Sequence, residues 1–189
     1  GLYISNHNRF FKEFEESYWI YSLRNAYGYI ASEKTRLARR YFGSRRFPKI
    51  KMPNYLVKKF NHYDLDAHIN SWLSAFTRVL LFQEEYGINE RFLVYSYENL
   101  LVNTEEIIKG ICNKTNLKYD QCLLTPTLAG MPWGGSSHQG KQSGINPKLA
   151  TYFKEVLTTE EINKINKSCG ALLEYLDENK SPFLDLTKI

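Results

Sequence analysis

Apolar and polar positions alternate between two periods along this chain. The run "YWIYSL" (Tyr18 to Leu23) reads as a short buried strand. From Ala26 to about Tyr41 the period becomes helical, with Gly28 weakening the first turn. Gly43 to Pro53 carries prolines, a glycine and basic residues, and reads as a loop. Asp64 or Asp66 caps a long helix through Trp72, Phe76, Leu80 and Phe82 to Tyr86, stopped by Gly87. "RFLVYSYENL" is a compact β-rich run, and its "FLVY" core suits a strand covered on both faces. Thr104, Glu105 and Glu106 begin another amphipathic helix, with Ile107, Ile108 and Ile111 on its apolar side. Thr158-Thr159-Glu160-Glu161 has the form of a capped helix start, and that helix runs to about Leu176. At the front, Leu2 to Ser5 reads as a strand and "RFFKEFEES" as a short amphipathic helix.

Strands alternating with helices predict a parallel α/β sheet. Three recognisable strands are few, since sheets commonly have about five or six, so the pattern predicts an architecture incomplete at its N-terminus. The 189 residues suit one domain, 1–189. Residues 123–147, rich in Gly, Pro, Ser and Thr, form a long loop with the composition of a functional one.

Hydrophobic residues at 43% and charged residues at 24% are those of a globular chain rather than a disordered one. No apolar run reaches the ~20 residues of a membrane span. Cys112, Cys122 and Cys169 have neither the even count of a disulfide framework nor CxxC spacing, which reads as reduced thiols and a cytoplasmic location. No metal-ligand constellation appears. The net charge of +5 favours anionic ligands. Much of it lies in Arg36, Arg39, Arg40, Arg45 and Arg46, which fit either a solvated helix face and loop or an anion contact.

One arginine stands apart. Arg24 follows the first strand directly, where open α/β sheets bind ligands, and its fork of donors suits a phosphate dianion. Ser32 and Arg36 lie about two and three turns into the following helix and share a face. The segment "YWIYSLRNAYGYIASEKTR" resembles the 3′-phosphate-binding motif of the sulfotransferases that use 3′-phosphoadenosine 5′-phosphosulfate (PAPS), including the arginine-to-serine spacing. The likeness continues in order over most of residues 1–176. "FLVYSYENLLVNTEEIIKGICNKTNLKY" resembles the family's strand, its Tyr-Glu-Asp-Leu element (here Tyr97-Glu98-Asn99-Leu100) and the next helix. "PTLAGMPWGGSSHQGKQSGI" resembles the loop that closes over the nucleotide.

The resemblance implies a three-layer parallel sheet flanked by helices, with P-loop-NTP-hydrolase-like architecture. It implies transfer of a sulfuryl group from PAPS to a hydroxyl or amine, leaving adenosine 3′,5′-bisphosphate (PAP), with no metal. Arg24 and Ser32 would hold the 3′-phosphate with help from Arg36, and Ser136 and Lys141 are further phosphate contacts. Tyr97 would lie near the adenine; the alternative is a core tyrosine at a strand end. His7, in "YISNHN", occupies a place comparable to the family's catalytic base, although Ser5 stands near the position of the neighbouring lysine. The alternative for His7 is a helix-capping histidine.

The family's 5′-phosphosulfate loop should precede Arg24, and no such loop is seen in the 23 residues before it. The 189-residue chain alone is therefore expected to be weakly active or inactive, and an uncovered sheet edge would favour homo-oligomers. Gly135 to Gln142 approaches a Walker loop, but Gln142 takes the hydroxyl position and no strand precedes it. Two competing readings are a non-catalytic nucleotide- or polyanion-binding remnant of the fold and an RNA-binding α/β protein. The second ranks last because no nucleic-acid module is recognisable. The expected partner is a small-molecule, glycan or peptide acceptor rather than nucleic acid or a membrane.

Overall fold

Two apolar runs far apart in sequence lie side by side at the centre of the chain. Trp19–Leu23 (β1) and Phe92–Ser96 (β2) pair in parallel, with Trp19 opposite Phe92 and Leu23 opposite Ser96. A parallel pair needs a long crossover, and here three helices supply it: α1 (Ala26–Tyr41), α2 (Asn54–Lys59) and α3 (Leu65–Glu85). After β2 come α4 (Tyr97–Val102) and α5 (Thr104–Lys114), then a small antiparallel hairpin of β3 (Thr127–Leu128) and β4 (Met131–Pro132). A 3-10 turn at Pro147–Thr151 leads to α6 (Phe153–Val156) and α7 (Thr159–Glu178). The molecule is mixed α/β and mostly helical, with a small two-stranded parallel sheet. This computed structural model describes residues 13–14, 16–43, 52–85, 91–132, 144–179 and 181–189. Among them no helix is long and apolar enough to cross a membrane. The strand at Leu2–Ser5, most of the helix at 9–17, and His7, Arg45, Arg46, Ser136, Lys141 and the Walker-like stretch lie outside the described residues.

The central helix is α1, which packs against α2, α3, α6 and α7. Ala26, Ile30, Ala31 and Ala38 are 0% exposed, and the three alanines let the neighbouring helices approach closely. Asp64, of the two candidate caps, starts α3: its Oδ1 accepts the Ala67 N–H at 2.9 Å. α7 opens with a full capping box, Thr158 Oγ1 accepting from Glu161 N at 3.3 Å and a Glu161 carboxylate oxygen accepting from Thr158 N at 2.7 Å.

Two details depart from the pattern reading. β1 begins at Trp19 and is not buried throughout; Ile20 is 44% exposed, and burial alternates along the strand. The tail beyond α7 carries more weight than its weak pattern indicates. Leu184 and Leu186 enter the core, and buried Gln83 of α3 clamps them, its Nε2 donating to Leu184 O at 2.8 Å while its Oε1 accepts from Leu186 N at 2.8 Å. Leu184 N also donates to Val94 O at 2.7 Å, which ties the tail to β2.

Candidate functional site

Parallel pairing brings both strand ends to one edge of the sheet, and with them the two turns into helices. At the first turn Asn25 caps α1: extended at φ −64° and ψ 159°, its Oδ1 accepts the Gly28 N–H at 2.7 Å. At the second, Ser96 caps α4, its Oγ accepting from Asn99 N at 3.3 Å. Arg24 and Tyr97 therefore stand next to one another, each immediately past its strand. The Arg24 guanidinium lies over the Tyr97 ring, 4.8 Å from its centroid. Buried Trp72 of α3 fixes the backbone below by donating its indole N–H to Arg24 O at 2.8 Å.

The acidic member of this corner is Glu98. One of its oxygens accepts the Asn25 N–H at 3.1 Å and is 3.5 Å from the Ser96 hydroxyl. The other is 4.0 Å from Arg24 Nε, within ion-pair range but too far for a hydrogen bond. Arg24 Nε is buried and has no hydrogen-bond partner among the described residues. Burial pushes the Glu98 carboxyl above its ordinary range, against the opposing pull of the Asn25 and Glu98 N–H groups, of Arg24 and of Ser96. The side chain of Arg24 keeps 31% of its surface exposed and that of Glu98 16%. The guanidinium is thus packed on one side and open on another.

Gly28 forms the floor of the corner. A methyl group there would stand 2.9 Å from both Arg24 Nε and Glu98 Oε1. Ser32 is one turn further along the same stripe of α1, about 6 Å up the axis and about 40° round it. It is exposed, and no hydrogen bond links it to Arg24. Arg36, another turn on and about 80° round from Gly28, is turned to its own helix. Its guanidinium donates to Glu33 at 3.0 and 2.6 Å, which raises its pKa. Arg39 is 6% exposed, so it does not belong to a solvated basic face.

Of the expected site residues, Arg24 and Tyr97 come together directly, Ser32 stands one turn beyond Gly28 on α1, and Arg36 is committed to Glu33. Tyr97 is half-buried beneath a cation rather than a core tyrosine. Glu98, Asn25, Gly28 and Trp72 were not foreseen. Asn25 and Glu98 are signalled in retrospect by lying one residue beyond Arg24 and Tyr97. The turn at Pro147–Thr151 packs on α4 and so anchors the C-terminal flank of the 123–147 loop beside this corner. Part of that loop is regular, as β3 and β4. No protein-family model, curated protein or solved structure matches this chain.

Proposed function

We propose that this chain is a PAPS-dependent sulfotransferase, with Arg24 and Ser32 binding the 3′-phosphate of the donor. The observation that carries the reading is the partly open Arg24 guanidinium held over Tyr97 at the carboxyl edge of a parallel pair, beside the helix that carries the exposed Ser32 one turn beyond Gly28. A guanidinium supplies paired donors to phosphate oxygens and a serine hydroxyl supplies another. The edge of Tyr97 not covered by Arg24 offers a surface for the adenine.

In the reaction, the acceptor hydroxyl or amine attacks sulfur, its O–S or N–S bond forming as the bond from sulfur to the 5′-phosphate oxygen breaks. The bonding electrons leave on PAP, and the acceptor's proton passes to a base, His7 in this reading. Arg24 and Ser32 act by positioning the nucleotide, which is how bound phosphate groups remote from the reacting centre contribute to rate. Ser136 and Lys141 are the further phosphate contacts, and Arg36 assists after exchanging Glu33 for the ligand. The three-layer, P-loop-NTP-hydrolase-like architecture belongs to the same proposal. It is supported by β2, where Phe92, Leu93 and Val94 are 5%, 5% and 0% exposed although they alternate between the two faces.

The test is calorimetric titration with PAP and with 5′-AMP, which lacks the 3′-phosphate. Wild type should prefer PAP, and Arg24→Ala should weaken PAP binding by about tenfold to a hundredfold, the loss of one charge-assisted contact, while leaving 5′-AMP nearly unchanged. Equal PAP affinity in wild type and Arg24→Ala would sink the assignment. Sulfate transfer from labelled PAPS to phenol, sugar and peptide acceptors marks an enzyme; because the 189-residue chain alone is expected to be weakly active or inactive, PAP binding without turnover fits both that expectation and a non-catalytic nucleotide-binding remnant.

A further inference from the structure

We propose that Glu98 is the positioning residue for Arg24, holding the guanidinium over Tyr97 and so setting the affinity of the anion site. This deepens the 3′-phosphate reading and rests on it. Arg24 and Glu98 arrive from different strands, and three observations couple them. Glu98 accepts the N–H of Asn25, the residue next to Arg24, at 3.1 Å, so it fastens the turn that carries the arginine. Its second oxygen faces Arg24 Nε at 4.0 Å. Both of those atoms converge on Gly28, where the missing side chain leaves just enough room for them. Arg24 Nε has no hydrogen bond among the described residues, so the ion pair with Glu98 and the Tyr97 ring below fix the guanidinium instead. Its remaining donors stay available to a ligand.

The arrangement works against the stability of the fold. Burial raises the Glu98 pKa in the folded protein, with Arg24 as the charged group acting on it. A raised folded value means that the stabilising contribution is complete below the ordinary carboxylate range and is lost as pH rises through the folded value. At neutral pH ionisation of the buried carboxyl therefore costs stability relative to its protonated form.

The experiment compares wild type with Glu98→Gln, which keeps the shape and an oxygen for the Asn25 N–H but removes the charge. Three readouts are taken: PAP affinity by calorimetry, water exchange of the Arg24 Nε–H by NMR without ligand, and thermal midpoint from about pH 4 to 8. Glu98→Gln should weaken PAP binding about threefold to tenfold, within the range of coupling between residues of one network, and speed the Nε–H exchange. It should also melt at a higher temperature than wild type at pH 8, the difference shrinking toward pH 4. Affinity within twofold of wild type with unchanged exchange overturns the inference. So does a lower melting temperature at pH 8 accompanying weaker binding, since that marks a purely structural residue. Gly28→Ala, which disturbs the same junction from α1, should speed the Nε–H exchange in the same way if Glu98→Gln does not fold, and unchanged exchange in it overturns the inference. If wild type does not bind PAP, the 3′-phosphate reading falls and the exchange measurement still decides whether Glu98 positions Arg24.

Discussion

A methyl group on residue 28 would meet Arg24 Nε and Glu98 Oε1 at 2.9 Å and Asn25 Oδ1 at 3.2 Å. All three are side-chain atoms, so they can yield, and what yields is the site rather than the backbone. Glycine in a helix costs about 1 kcal/mol against alanine, which Gly28→Ala recovers while displacing the two charged groups. Its stability by urea denaturation should therefore stay within about 1 kcal/mol of wild type, while PAP affinity falls. Unchanged affinity would mean that the close approach has no bearing on binding. This residue also marks where sequence reading stops. Arg24 is legible because a strand-end arginine before a helix has a chemical meaning by itself. Glu98 takes its meaning from a hydrogen bond to Asn25, 73 positions away, and no local period encodes that. Gly28 looked like a weakness in a helix until its neighbours were known.

The elements follow their local signals more closely than the site does. α1 runs from Ala26 to Tyr41 as its period implies, and Thr158 with Glu161 starts α7. What periodicity does not disclose is Lys34, an apparently ordinary basic residue that is 0% exposed. Its Nζ donates to both Glu161 oxygens at 2.8 Å and to Lys58 O at 3.0 Å, while the Tyr63 hydroxyl donates to Glu161 at 2.7 Å. α1, α2, α7 and the segment before α3 are thus joined through one ion pair, and burial together with Glu161 drives the Tyr63 pKa up. Removing one member of a buried pair leaves the other uncompensated, at about 3–5 kcal/mol. Glu161→Gln should approach that loss because it strands a fully buried ammonium. Lys34→Met should cost less, since Glu161 retains the Tyr63 hydroxyl and the Thr158 N–H. In urea denaturation the double variant Lys34→Met/Glu161→Gln should be less destabilised than the sum of the two. Simple additivity would show that the pair is not coupled.

For the molecule as a whole, the excess of 25 basic over 20 acidic residues does not translate into free cations at the described corner. A mixed α/β chain was legible from alternating periods, but the β3–β4 hairpin and the fate of the charges were not, because both depend on tertiary contacts. Arg36 is neutralised by Glu33, Arg39 is buried, and Arg24 is balanced in part by Glu98. Few cations are therefore left to act together over a distance at the described corner. That distinguishes a nucleotide site from an extended polyanion surface through salt dependence. A protein that contacts about 6–10 phosphates loses roughly 10³–10⁵ in affinity between about 50 and 200 mM salt. PAP, a mononucleotide, has no condensed counterion atmosphere to release, so its affinity should fall far less, by about tenfold at most, over the same range. Calorimetry at the two salt concentrations, with single-stranded RNA and heparin titrated alongside, provides the comparison. RNA or heparin binding more tightly than PAP at 50 mM and collapsing at 200 mM would favour a polyanion partner over the nucleotide.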